Sequence, residues 1–462
     1  MDIPLSSDAL DLSFHPDDEA NLIAVGLISG KIQLVDYSPY LAEPSSSRTP
    51  ASPASKKARS TEDDDARVSR KLYRKVWVSR PSKKSCRGLA FAADGASIYS
   101  VSKDKGLYAT DTETGKVVQS WQDAHDAAPS RVLPIDDTMV VTGDDDGVVR
   151  LWDPRKPGGA GAKPVRSWDH HFDWITDLVY LPDLPVPKPR TAAEAKKSKS
   201  QLKKQRKRAR QAALERSLHP DSDSDSDSGG EVEVESRSRL IVTSGDGSLS
   251  SIDLRSSGPT SFEQSEDQED ELLSITPIRR SQKLVVGTQL GILSLWSPAH
   301  GLLDHVDRVP GHPASVDTLV TLDDETVLTG SSDGLVRVVQ ILPSKLLGVI
   351  ASHDGLPVER MKRKANTLAS IGHSNAVKLT DLTPLLDEEG DEDAPLGITD
   401  LPSDSEDDDV DADDDADAPV EPSNPDSDDP NNDDDDDGND DGNDDDDDEP
   451  SPPTKETFFA DL

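Results

Sequence analysis

The chain has 462 residues, a net charge of −41 and only 33% hydrophobic residues, with a mean hydropathy of −0.63. This length and composition exclude one uniform compact domain and predict a folded part interrupted by disordered segments. Cys86 is the only cysteine, which excludes an intrachain disulfide and indicates a reducing compartment. Because the first residues lack a basic and apolar leader and no apolar run reaches about 20 residues, we expect an intracellular protein without membrane contact.

A strand, a tight turn that ends in glycine and a second strand form the element that recurs along the chain. It first occurs at residues 22–36, and its clearest copy is at residues 142–155. In that copy Gly147 follows three Asp residues, and Val149 and Leu151 alternate with larger polar or aromatic side chains. Glycine adopts positive φ without strain, and a period of two marks a strand with two faces, so each copy predicts a hairpin.

The spacing of the turn glycines predicts how the hairpins assemble. Successive copies lie 41, 44 and 43 residues apart, which matches one four-stranded propeller blade, and two spacings are longer, at 76 and 100 residues. The long spacings indicate insertions at residues 43–70 and 183–237. Without these insertions and the tail, about 300 residues remain, which is enough for seven blades. The turn glycines are Gly30, Gly106, Gly147, Gly247, Gly291 and Gly334.

The pair Trp152-Asp153 and the dipeptides Ala124-His125 and Gly311-His312 resemble the signatures of WD-repeat β-propellers. The opening Leu10-Asp-Leu-Ser-Phe-His-Pro16, a lysine-rich insertion in the fourth blade and an acidic tail resemble the WD repeat-containing protein 55 family more specifically. The fungal branch of that family is the Jip type. The resemblance implies a nucleolar protein of ribosome biogenesis that takes part in rRNA processing and large-subunit assembly.

We therefore predict an all-β fold, a seven-bladed WD-repeat β-propeller with a disordered basic insertion and a disordered acidic C-terminal tail. Since an open ring would leave a sheet edge exposed, Ile3 to Ser7 are predicted to complete blade seven. His312, Asp333 and Trp296 are expected to join strands by buried hydrogen bonds. The predicted boundaries are 1–42 for blade 1 and the closing strand, 43–70 for a disordered insertion, 71–182 for blades 2 and 3 and the start of blade 4, 183–237 for the basic and acidic insertion, 238–386 for the remaining blades and 387–462 for the tail.

Motifs for catalysis or cofactor binding are absent from the sequence. It has no glycine-rich phosphate loop, no Cys-x-x-Cys, no His-Glu-x-x-His and no Gly-x-Ser-x-Gly. His170 and His171 with Asp169 and Asp173 suggest a metal cluster, but adjacent residues of a strand point to opposite faces, so a loop is favoured. We expect no enzymatic activity, no metal and no cofactor.

The insertion between residues 188 and 216 carries 12 Lys and Arg residues against Glu194 and Glu215 and is rich in helix formers. Its basic run predicts recognition by a nuclear import receptor, hence a location in the nucleus and nucleolus, or non-specific contact with RNA phosphates. The alternative is a solvated loop without a partner. The basic candidates are Lys196, Lys197, Lys199, Lys203, Lys204, Arg206, Lys207, Arg208 and Arg210.

Two acidic segments contain candidate phosphorylation sites. Ser222 and Ser224, and again Ser403 and Ser405, have a carboxylate three residues downstream, which is the pattern of acidophilic kinases. Phosphorylation adds charge of roughly −2 per site and would mask the neighbouring basic run electrostatically.

The C-terminal tail holds most of the negative charge. Residues 387–462 contain 36 Asp and Glu residues and one Lys, a charge of −35, which leaves about −6 elsewhere. The tail either keeps the protein soluble or acts as a polyanion that holds histones or ribosomal proteins. Phe458 and Phe459 form a candidate docking peptide at its end.

Three functions remain open from the sequence. The first is a non-catalytic, monomeric scaffold that binds ribosome-assembly proteins and pre-ribosomal particles. The second is a substrate receptor of a cullin-RING ubiquitin ligase, since Trp152, Asp153 and Arg155 match the Trp-Asp-x-Arg sequence that many such propellers present to their adaptor. The third is a chaperone for histones or ribosomal proteins that acts through the acidic tail.

Overall fold

The computed structural model describes residues 1–42, 72–187, 236–256, 258, 261–386 and the backbone of 396–397. Nearly all regular structure in these residues is β-strand, arranged as seven sheets that each contain four antiparallel strands. The predicted all-β, seven-bladed propeller is confirmed.

The first strand in the chain is β1 (Asp2–Pro4), and it belongs to the last blade. Blades 1 to 3 follow in chain order. Blade 1 comprises β2 (Ala9–Phe14), β3 (Leu22–Leu27), β4 (Ile32–Asp36) and β5 (Arg74–Ser79), with the short helix α1 (Ser38–Leu41) after β4. Blade 2 comprises β6 (Cys86–Phe91), β7 (Ser97–Ser102), β8 (Leu107–Asp111) and β9 (Val117–Trp121). Blade 3 comprises β10 (Pro129–Asp136), β11 (Met139–Asp144), β12 (Val148–Trp152) and β13 (Arg166–Asp169).

Blades 4 to 7 complete the ring. Blade 4 comprises β14 (Ile175–Pro185), β15 (Ser236–Ser244), β16 (Leu249–Ile252) and β17 (Phe262–Gln264). Blade 5 comprises β18 (Leu272–Ile278), β19 (Lys283–Thr288), β20 (Ile292–Trp296) and β21 (Asp307–Pro310), with a 3-10 helix at Pro298–His300. Blade 6 comprises β22 (Val316–Thr321), β23 (Thr326–Ser331), β24 (Leu335–Gln340) and β25 (Lys345–Ser352). Blade 7 comprises β26 (Val358–Lys364), β27 (Thr367–Gly372), β28 (Ala376–Asp381) and β1, with the short helix α2 (Thr383–Leu386) after β28.

The N-terminal strand closes the ring. Ile3 of β1 lies opposite Val377 of β28 in an antiparallel pair, and the Leu5 amide donates to the Asn375 carbonyl at 2.7 Å. The amino group of Met1 donates to the Leu379 carbonyl, also at 2.7 Å. The closing segment thus lies where the sequence predicts it, but its strand covers Asp2–Pro4 instead of Ile3 to Ser7.

The apolar core lies between neighbouring blades. Ile23 of blade 1 packs in one buried cluster with Val377 of blade 7, and Leu293 of blade 5 packs with Val327 of blade 6. The first strand of each blade contacts the first strand of the next, and β26 contacts β2, so the ring is continuous. Each sheet therefore buries its two faces against two neighbours, and blade-to-blade packing supplies the hydrophobic stabilisation.

Because strand direction alternates within each blade, the connections leave the ring on two opposite faces. We call the side with the loops after the second and fourth strands, such as residues 144–147 and 169–174, the turn face. The other side, with the loops after the first and third strands, is the insertion face. Both gaps in the described chain, after residues 42 and 187, and the end of blade 7 at Leu386 lie on the insertion face.

The glycine turns lie on the turn face and need positive φ. Gly147 has φ +81°, and a Cβ there would lie 2.6 Å from the carbonyl oxygen of His171, so no other residue fits. Blade 2 differs, because Lys105, with φ 70°, adopts the left-handed conformation in place of Gly106.

Two predicted boundaries require correction. β14 continues to Pro185, inside the stretch assigned to the insertion, because Leu184 is buried and pairs with Arg237 of β15. A fifth strand of blade 6, β29 (Leu396–Gly397), lies in the segment assigned to the disordered tail and pairs in parallel with β25. The outer edge of β25 offers unpaired backbone groups, which accounts for this addition.

Candidate protein-interaction surfaces

Blade 3 contains a complete network of buried side chains between its strands. His125 binds Asp144 through Nδ1 at 2.7 Å and Thr142 through Nε2 at 2.6 Å. The indole of Trp152 donates to the same Thr142 hydroxyl at 2.9 Å. Burial lowers the pKa of His125, although the Asp144 carboxylate acts in the opposite direction. This network joins the loop before the blade to β11 and β12, which is a structural function.

The other blades keep only parts of this network. His312 of blade 6 binds Thr329 at 2.9 Å, and His353 of blade 7 binds Ser370 at 2.8 Å. The expected bond between His312 and Asp333 is absent, because Asp333 pairs with Arg337 instead. Trp296 belongs to blade 5 and donates to Ser294 at 3.1 Å.

His171 has a structural function in blade 4. Its Nδ1 lies 3.1 Å from Asp246 and 3.0 Å from Ser248, and its Nε2 lies 2.8 Å from Ser250. Burial opposes ionisation of Asp246, but hydrogen bonds from His171 and Ser248 outweigh it and lower the pKa of that carboxyl. The neighbouring His170 ring instead packs against Phe262 in a tilted arrangement, with ring centroids 4.1 Å apart. Among the residues that the structure describes, no group of His, Cys, Asp or Glu is arranged to hold a metal ion.

The Trp-Asp-x-Arg sequence divides between the interior and the surface. Trp152 is 2% exposed, so in the folded chain its ring cannot contact a ligase adaptor, and this part of the predicted contact requires correction. Asp153 and Arg155 lie on the insertion face after β12 and form a two-point ion pair at 2.9 and 3.0 Å. This pairing raises the pKa of Arg155, whose side chain is 64% exposed. Arg155 is the member of the motif that a partner can reach.

Inner strands present charged groups that the sequence analysis missed. Asp11 of β2 accepts the amides of Leu12 and Leu89, both at 2.8 Å. Asp177 of β14 accepts the amides of Leu178 and Ile275 at 2.9 and 3.2 Å. Each carboxylate thereby bonds the next blade, since Leu89 lies in β6 and Ile275 in β18. These bonds help to join the inner strands around the ring.

Asp11 and Asp177 also share two cations across the ring. Both carboxylates interact electrostatically with Lys362 of β26 and Arg131 of β10, so side chains from blades 1, 3, 4 and 7 face one interior. Burial raises the pKa of both carboxyl groups despite these cations, and burial lowers the pKa of Arg131. A register shift follows the first residue pair of every inner strand, and such bulges re-aim side chains. No sequence motif marks these positions.

The turn face of blades 4 and 5 presents two highly exposed apolar side chains, Phe172 and Leu290, at 93% and 67% exposure. The sequence analysis missed both, because a single Phe or Leu in a loop gives no periodic signal. Their surroundings are acidic, with Asp173, Asp270 and Glu271 in the adjacent loops.

Several predicted sites lie outside the residues that the structure describes, so their placement stays a prediction. These are the basic residues Lys196, Lys197, Lys199, Lys203, Lys204, Arg206, Lys207, Arg208 and Arg210, the serines Ser222, Ser224, Ser403 and Ser405, and the docking peptide Phe458 and Phe459. Within the described part of the chain, no helix is long and apolar enough to cross a bilayer.

Comparison with known proteins supports the propeller assignment. The family model "WD domain, G-beta repeat" matches residues 115–153, which contain the complete network of blade 3. WD repeat-containing protein JIP5 of Mycosarcoma maydis is 72% identical over 84% of this chain and 82% of its own length. JIP5 of Malassezia globosa is 53% identical over 85% of the chain and 83% of its length. WD repeat-containing protein 55 of Arabidopsis thaliana is 30% identical over 84% of both chains.

The similarity thus extends well beyond one repeat and covers most of the ring in fungal and plant relatives. The chain belongs to the family of WD repeat-containing proteins 55 and JIP5.

Proposed function

We propose that this protein is a non-catalytic WD-repeat scaffold of ribosome biogenesis, located in the nucleus and nucleolus. Its partners are ribosome-assembly proteins and pre-ribosomal particles, in rRNA processing and assembly of the large subunit. The observation that carries the proposal is family membership across most of the chain, together with the nucleolar role that the family resemblance implies.

The side chains of the ring support a scaffold in preference to an enzyme. The His, Thr, Asp and Trp residues of blade 3, which would otherwise suggest catalysis, bind one another in the interior. Their exposure is 2% or less, so a substrate has no access to them. Partners then bind to the loops on the two faces, because the closed ring holds these loops at fixed positions.

The attachment of the basic insertion supports nuclear import and contact with RNA. Its ends at residues 187 and 236 lie on the insertion face, at the tips of β14 and β15. Phosphate contacts by Lys and Arg give affinity without sequence specificity, so any RNA selectivity comes from the protein partners.

Gradient sedimentation of the tagged full-length chain, with sequencing of the co-migrating RNA, tests this function. We expect co-migration with precursors of the large subunit. A variant with the nine basic residues 196–210 changed to Gln should lose nuclear accumulation, and Arg155→Gln is the matched control. Recovery of the wild-type chain only in light fractions, without precursor rRNA, would contradict the proposal.

The second candidate, a substrate receptor of a cullin-RING ligase, is favoured by one observation. Arg155 is exposed on the insertion face and fixed by Asp153, as a contact with an adaptor would require. The acidic-tail chaperone remains a third candidate, and truncation after Leu386 tests it, because particle association that survives truncation argues against it.

A further inference from the structure

Phe172 and Leu290 are the two most exposed large apolar side chains in the described part of the chain, and both lie on the turn face. Phe172 belongs to the loop that leads into blade 4, and Leu290 to the turn between β19 and β20 of blade 5. Single exposed apolar residues are common on proteins, so exposure alone does not indicate a binding site. Phe172 and Leu290 indicate a binding site because hydrogen bonds fix their backbone and because acidic residues surround them.

Hydrogen bonds hold both positions. The Phe172 amide donates to Asp246 at 2.9 Å, next to His171 with its three polar contacts. The Leu290 amide donates to Asp270 at 3.3 Å. A surface whose backbone is already ordered loses less conformational entropy when a partner binds.

Acidic side chains lie in the loops next to both apolar side chains. Asp173 follows Phe172 directly and interacts electrostatically with Glu271, which also interacts with Asp270, the residue that holds the Leu290 turn. Burial raises the pKa of Glu271, and repulsion by Asp173 and Asp270 raises it further. Asp173 and Asp270 thus both repel Glu271, so negative charge is concentrated in the loops next to Phe172 and Leu290.

The loops of this region contain no compensating Lys or Arg. Residues 169–174, 245–248 and 265–271 carry two, one and five carboxylates, and none of these loops, nor the turn 289–291, has a Lys or an Arg. One loop of the turn face on the opposite side of the ring has the reverse charge. There, residues 80–85 carry three basic residues and no acidic one.

We propose that Phe172, Asp173, Asp270, Glu271 and Leu290 form a docking site for an Arg- and Lys-rich segment of a partner protein. Cationic side chains of that segment neutralise the three carboxylates, and an Arg can also stack on the Phe172 ring. Apolar side chains between the cations pack on Phe172 and Leu290. RNA does not fit this site, since its phosphates have the same sign of charge as the carboxylates. The proposal deepens the scaffold function, because it assigns the chemistry of one class of partner.

A photo-crosslinking experiment on the full-length chain tests the site. The probe is an eight-residue peptide of alternating Arg and Leu in which one Leu is replaced by benzoylphenylalanine. The cross-linked residues are identified by mass spectrometry, which separates this site from the acidic tail. We expect cross-links within residues 169–174 and 289–291, and a loss of about tenfold in their yield for Glu271→Lys. Phe172→Ser should reduce the yield several-fold.

Matched changes elsewhere provide the controls. Val118→Ser removes an apolar side chain that is 61% exposed on blade 2, and Glu113→Lys reverses an exposed charge on the insertion face. Both should retain the cross-links, and all variants should share the unfolding midpoint of the wild type. Equal yield in Glu271→Lys, cross-links confined to residues 387–462, or cross-linking of a photoreactive RNA at Phe172 would each overturn the proposal. Specific cross-links without co-sedimentation of pre-ribosomes would contradict only the proposed function.

Discussion

Blade 3 and blade 7 hold their strands together in different ways. Blade 3 uses four consecutive strands and a network in which Thr142 bonds both His125 and Trp152. Blade 7 has Thr380 at the position of Trp152, keeps only the bond from His353 to Ser370, and takes its fourth strand from the N-terminus.

The difference shows that a recognisable repeat signature is not required for a blade to form. Blade 7 buries Ile371, Val377 and Leu379 fully or almost fully, as blade 3 buries Val141 and Val149. Apolar burial between sheets is common to both blades, whereas the polar network is an addition in blade 3.

The largest expected effect comes from opening blade 7 with Ile3→Asp. Ile3 is fully buried, and an unpaired carboxylate there cannot be compensated, so we expect a loss of about 4 kcal/mol or more in the free energy of unfolding, or failure to fold. Urea unfolding measures the change. Ile3→Val, as the matched control, should cost about 1 kcal/mol. Wild-type stability of Ile3→Asp would show that β1 is dispensable.

The network of blade 3 is tested by Trp152→Ala. The change removes a large buried side chain and one partner of Thr142, so we expect a loss of about 3–5 kcal/mol in urea unfolding. Val339→Ala, at the corresponding position of blade 6, should cost less because a smaller side chain without a polar contact is lost. Equal costs would mean that the network adds nothing to the apolar packing.

The buried His353 of blade 7 makes the stability of the protein depend on pH. Burial lowers the pKa of His353 to about 4, below the unfolded value of 6.5. Since unfolding then takes up a proton between these values, stability falls as pH falls from 6.5 toward 4, by up to about 1.4 kcal/mol per pH unit for this residue. His353→Gln should reduce that slope in urea unfolding. Ser370→Ala keeps the buried ring and should retain the slope, and an unchanged slope in His353→Gln would contradict the assignment.

The smallest effect on stability is expected for Arg155→Ala, which lies beside the network of blade 3 but outside it. The Asp153–Arg155 pair is exposed, so the unfolding midpoint should not change measurably. Pull-down of the purified variant with a cullin-RING adaptor distinguishes the functions. Loss of the adaptor with retention of pre-ribosomal particles supports the ligase alternative, whereas an adaptor that never binds the wild type eliminates it.

The sequence alone was sufficient for the repeat length and the number of blades. A hairpin with one apolar strand pattern and a glycine turn must recur to bury its faces, and that recurrence is visible in the order of residues. Even the closing segment was correctly located near Ile3, because a ring leaves one edge to be filled.

Only the tertiary structure decided which side chains meet across the ring. Asp333 pairs with Arg337 and not with His312, Asp11 shares cations with Asp177, and Asp173 interacts electrostatically with Glu271 in the loop that leads into the next blade. Some of these partners lie far apart in the chain. In other cases, such as Asp333, the sequence offers two possible partners and does not decide between them. Local periodicity reports which face of a strand a residue occupies, whereas contacts between blades depend on how the closed ring brings distant loops together.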